Sequence, residues 1–88
     1  MNTKVYYIAE VSGKFNDTSN FEIKPFTGYI YESEGYLSVT TSKTGLKQFP
    51  EPLSNLLHCN LGPWYYKVEK VRWIKVTERF EQEEEYVD

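Results

Sequence analysis

Residues 64–80, Trp-Tyr-Tyr-Lys-Val-Glu-Lys-Val-Arg-Trp-Ile-Lys-Val-Thr-Glu-Arg-Phe, constrain the fold more than any other stretch of this chain. They hold both tryptophans, four β-branched aliphatics (Val68, Val71, Ile74, Val76) and half of the positive charges. Such residues suit a pleated, half-buried strand better than a helix. A helical arrangement would line up Trp64, Val68, Val71 and Lys75, a poorer apolar stripe.

The strand alternation has one flaw. Trp64, Tyr66 and Val68 share a face, and Ile74, Val76 and Phe80 continue it in phase, but Lys70 and Arg72 would interrupt it while Val71 and Trp73 point away. Side chains alternate with a period of two, so one extra residue moves the apolar set to the other face. The pattern therefore predicts either a bulge near 69–72 or a strand with apolar contacts on both faces. Under the bulge, Trp64 belongs to the core and Trp73 is the more exposed tryptophan.

Charge is distributed unevenly along the C-terminal third. Residues 64–79 carry five basic side chains (Lys67, Lys70, Arg72, Lys75, Arg79) against two acidic ones, whereas 80–88 carry Glu81, Glu83, Glu84, Glu85 and Asp88 with no base. Opposite blocks this close attract. The acidic segment is expected as a tail that engages a basic partner or folds back over its own basic strand, in contacts weakened by salt.

The rest of the chain supplies more strands. Residues 3–11 alternate with apolar side chains on both faces, as a central strand does. Residues 12–20 read as a loop with Phe15 turned toward the core. Residues 21–24 form a short strand that either lies at an edge or ends at Pro25, which has no N–H for a ladder. Residues 27–32 and 36–41 form a hairpin around Ser33-Glu34-Gly35, with Gly35 at a positive φ, placing Tyr29, Tyr31 and Tyr36 on one face. Pro52 and the spacing of Leu53, Leu56 and Leu57 predict a helix over 52–59, and 78–86 is a weaker helical candidate because Glu81 and Glu85 repel. The expected fold is α+β: one domain over 1–80, a small antiparallel sheet of four to five strands with one short helix, then an acidic tail over 81–88. With 88 residues the chain has room for one modest core.

Composition narrows function mainly by exclusion. A net charge of −3 argues against general adhesion to nucleic acid or anionic membranes. No apolar run suggests a signal peptide or a membrane span. The single Cys59 fits a reducing compartment, so a cytoplasmic protein is expected. His58 and Cys59 are the only residues of their kinds and are adjacent, which suits neither a nucleophile–base pair nor a zinc site. No phosphate loop or dinucleotide fingerprint occurs. Neither catalysis nor a cofactor or metal is expected, and no stretch matches a domain signature, including that of the common RNA-binding sheets.

Binding is the expectation that remains. Aromatic side chains make up 17% of the chain, more tyrosine than so small a core can hide, and Tyr, Trp and Arg dominate interface energetics. The candidate partner-binding residues are Tyr29, Tyr31, Tyr36, Tyr65, Lys67, Trp73, Lys75, Glu81, Glu83, Glu84 and Glu85. The expected partner is another protein with a basic surface, as for a small accessory or inhibitory protein of viral or mobile-element type. A homodimer through an edge strand is a further expectation. The alternatives are single-stranded nucleic acid, with bases on Tyr65, Trp73 or the hairpin tyrosines and phosphates on Lys67, Lys70, Arg72 and Lys75, and a structural, self-assembling role.

Overall fold

The computed structural model describes residues 3–17, 22–53, 56, 60–61, 66–79 and 82–87. They form one antiparallel sheet of six strands: β1 (Lys4–Asp17), β2 (Glu22–Ser33), β3 (Tyr36–Thr40), β4 (Asn60–Leu61), β5 (Tyr66–Glu78) and β6 (Gln82–Val87). The order is β3-β2-β1-β5-β4, and β6 also pairs with β5. Strand β5 therefore has β1 along one side. On its other side it has β4 at Tyr66–Lys67 and β6 at Trp73–Glu78.

The long strand carries a bulge where its alternation fails. Ser12 pairs with Lys70 but Gly13 pairs with Val68, so Glu69 is an extra residue. Side chains before and after it consequently change phase. Val68, Val71 and Trp73 now lie on one face with Ala9 and Val11 of β1, and this face buries Ile30, Phe49, Leu56 and Leu61 as the main core. Ile74 and Val76 lie on the opposite face with Tyr6 and Ile8, packed with Tyr29 and Leu46. Bulge and two-sided burial occur together, because the bulge is what gives both faces an apolar set.

Gly13 makes the bulge possible. A Cβ at this position would overlap the Lys67 carbonyl oxygen and stand 2.9 Å from the Glu69 amide nitrogen. The residues expected as a loop from Ser12 thus continue β1 to Asp17, and Phe15 stacks on Tyr66 with ring centroids 4.8 Å apart. Pro25 takes the edge position, one of the two outcomes expected for it. It sits inside β2, where β3 covers only Tyr29–Ser33 and, among the described residues, one side of the Pro25 stretch has no ladder to supply. The β2–β3 turn is Glu34-Gly35, with φ of 52° and 82°, the two positive values of a tight hairpin turn.

The helix expected over 52–59 falls mostly outside the described residues, and the expected acidic tail is corrected. No α-helix is present among the described residues. Pro52 and Leu53 are in irregular backbone, Leu56 is buried, and 54–55 and 57–59 lie outside the described set. Phe49 is held extended by paired backbone bonds with Tyr7, each 2.8 Å, and Pro50 and Pro52 then keep the residues before them out of helical geometry. The acidic segment is no loose tail over Gln82–Val87 but strand β6, in register from Trp73↔Val87 to Glu78↔Gln82. No helix among the described residues is long and apolar enough to cross a membrane.

Candidate functional site

The bulge decides which charges of β5 share a surface. Lys67, Lys70 and Arg72 fall on the face of Ile74 and Val76, whereas Lys75 falls on the face of Trp73, opposite Tyr7 on one side and Glu85 on the other. The four basic residues expected to act together are therefore split. Trp73, expected to be more exposed than Trp64, is among the described residues, whereas Trp64 lies outside them. Trp73 is half-buried, and its ring meets Phe49 edge-on at 5.2 Å, because the phase shift turns it into the core that Phe49 closes.

The hairpin register puts Tyr29, Tyr31 and Tyr36 on the same face as Ile74. Tyr36 is 75% exposed at the end of the sheet, while Tyr29 and Tyr31 are half-buried. Tyr65 and Glu81 lie outside the described residues, as do Trp64, His58 and Cys59.

A network that sequence reasoning did not assemble crosses this face. Glu10 of β1 lies between Tyr29 of β2 and Arg72 of β5. Tyr86 of β6 donates to Glu10 Oε2 at 2.8 Å, and the Arg72 guanidinium stands 4.0 Å from the Tyr86 ring centre and 3.9 Å from Glu10 Oε1. The hydrogen bond to Glu10, with lesser contributions from burial and nearby charge, raises the Tyr86 phenol above its ordinary value. Tyr86 and Glu10 are 76 positions apart, so only the β1–β5–β6 order could have revealed the pair.

A strap closes the same face at its other end. Lys43, in the irregular segment after β3, donates to Glu84 Oε1 at 2.6 Å and lies 5.7 Å above the Tyr29 ring. That hydrogen bond raises the Lys43 pKa. Gln82 donates to the other oxygen of Glu84 at 3.1 Å. Beneath lies a cleft of about 290 Å³, lined by Tyr6, Ile8, Leu46, Val76 and Gln82 among others. Tyr6 donates to Glu78 at 2.7 Å, and burial, followed by this bond, pushes its phenol up to about 12.

The acidic residues are sorted by the strand that carries them. Glu84 is engaged by Lys43 and Gln82, on the strapped face. Glu83 and Glu85 lie on the other face, opposite Thr77 and Lys75, exposed and with no ion pair to any described residue. Beyond them β6 has no strand neighbour among the described residues. Among the described residues, no group of His, Cys, Asp and Glu side chains is placed to hold a metal ion.

Fold and surface together define a small, mostly β protein with an acidic strand at one edge of its sheet. No protein-family model, characterised protein or solved structure matches this chain.

Proposed function

We propose that this is a non-enzymatic protein-binding module that grips a basic surface of its partner along β6. The observation that carries the reading is the pairing of β6 with β5. It converts an acidic segment into an edge strand with one open row of backbone groups and with Glu83 and Glu85 exposed beside it. An open strand edge recruits an extended partner through main-chain hydrogen bonds, and alternate side chains then select it. Here selection is for positive charge, because Glu83 and Glu85 are exposed and have no ion pair to any described residue.

Ordered carboxylates also favour binding over a disordered acidic tail. Less conformational freedom is lost on association when the strand is already formed. Charge complementarity then speeds encounter and rejects acidic partners. Such a strand competes for surfaces that otherwise receive phosphates, which suits an accessory or inhibitory protein.

The test is capture of partners from lysate after nuclease treatment, with the wild-type chain and with the double variant E83K/E85K. The proposal expects a basic protein retained in stoichiometric amount by the wild type and lost with the variant, with retention falling as salt rises. Equal retention by both chains, or no retained protein with the wild type, overturns it.

A further inference from the structure

The bulge at Glu69 has a second effect on the surface, at the end of β5 away from β6. Lys67 and Lys70 are three positions apart, so in a regular strand they would point to opposite faces. With Glu69 inserted they share one face, and Lys14 of β1 lies directly opposite Lys67. Ser12, opposite Lys70, and Thr27, opposite Ser12, complete the row toward β2.

All three lysines are exposed, and none has an ion-pair or hydrogen-bond partner among the described residues. Like charges directly opposite on neighbouring strands are unfavourable, with Cβ atoms only about 5 Å apart. A cluster of this kind gains when an anion sits among its ammonium groups. The nearby carboxylates do not serve. Glu10 already accepts from Tyr86 and faces Arg72, and Glu69, although exposed, pairs with neither neighbouring lysine. Glu85 lies on the opposite face, at the register of Lys75, five positions from Lys70, which is about 16 Å along the strand and beyond the screening length of physiological salt.

The geometry points to a phosphate-binding site at Lys14, Lys67 and Lys70 that takes the backbone of single-stranded nucleic acid. Lysine is a point-charge ligand for phosphate oxygens and needs no fixed fork of donors. The same face continues from Thr27 along β2, past Tyr29, whose ring Lys43 covers, and the half-buried Tyr31, to the exposed Tyr36, whose ring is open to an unpaired base once the backbone is held. A duplex hides its base faces and an acidic peptide has no bases, so this open ring favours a single strand over both. This site is separate from the β6 edge, and its test does not depend on that strand.

The experiment is fluorescence anisotropy with a labelled oligothymidylate of about 12 nucleotides, titrated with the full chain between about 50 and about 200 mM salt. Three neutralised phosphates on a single strand give a slope of about −2 in log affinity against log salt, or about a 20-fold loss across that range. The variant K14Q/K67Q/K70Q is expected to bind at least tenfold more weakly with a slope near zero, while K14R/K67R/K70R keeps both affinity and slope. The variant E83K/E85K keeps oligonucleotide binding, so loss of the protein partner and loss of this site are read separately. Circular dichroism checks that each variant is folded. Absence of wild-type binding at about 50 mM salt, or equal affinity of the Gln variant, overturns the site. Equal affinity for a polyglutamate of the same charge overturns the assignment to nucleic acid.

Discussion

At the scale of the residue, Gly13 and Tyr6 carry the sharpest consequences. Gly13 faces the one point where β5 holds a residue too many, and a methyl group there meets main-chain atoms that cannot rotate aside. Gly13→Ala is expected to cost about 1–3 kcal/mol or more in urea unfolding, in the range of overpacked sites. A change within a few tenths of a kcal/mol would contradict the bulge. Tyr6 sets an alkaline limit. Its phenol titrates at about 12 when folded against an ordinary 10.0, so the native state holds this proton more tightly than the unfolded chain does. That contribution is complete below about pH 10 and is lost as pH rises toward 12. Wild type should therefore lose more stability than Tyr6→Phe between about pH 9 and about pH 11. Identical losses in the two chains would show that Tyr6 is not linked to folding in this way.

At the scale of the element, legibility in the sequence followed the range of the interactions involved. The central position of β1, the β2–β3 hairpin with Gly35 at a positive φ and the bulge near Glu69 were readable, because each rests on local alternation or on turn chemistry. The extension of β1 through Asp17 was not, since Gly13 and Ser12 read as loop residues until β5 is set beside them. The helix expected from the leucine spacing of 52–59 falls mostly outside the described residues, and the tie of Phe49 to Tyr7 just before it was not readable because it is a contact between distant segments. The acidic segment was hardest to place. Glu and Gln are poor strand formers, and Gln82–Val87 is a strand because β5 presents an open edge with Lys75 at the matching register. Among the candidate binding residues, Tyr36, Lys67 and Glu83 are exposed, whereas Trp73 is half-buried against Phe49. Lys14, Glu10, Lys43 and Tyr86 were missed, because strand order alone brings them to the surface that matters.

At the scale of the whole molecule, charge is separated along one long sheet. The described structure extends 52 × 27 × 19 Å, and β5 runs from a lysine cluster at one end to an acidic companion strand at the other. A net charge of −3 conceals this polarity. The two proposed contacts, a basic protein along β6 and phosphates at Lys14, Lys67 and Lys70, occupy opposite ends and are compatible with one assembly containing both. Everything proposed for the acidic end depends on β6 being a strand rather than a solvated tail. The most direct test is backbone amide hydrogen exchange by NMR across residues 82–87. Exchange of the β6 amides that face β5, well below the rate of an unstructured chain, is the predicted result. Exchange of every amide in 82–87 at the free-chain rate would contradict it and remove the ordered edge on which the protein-binding proposal stands.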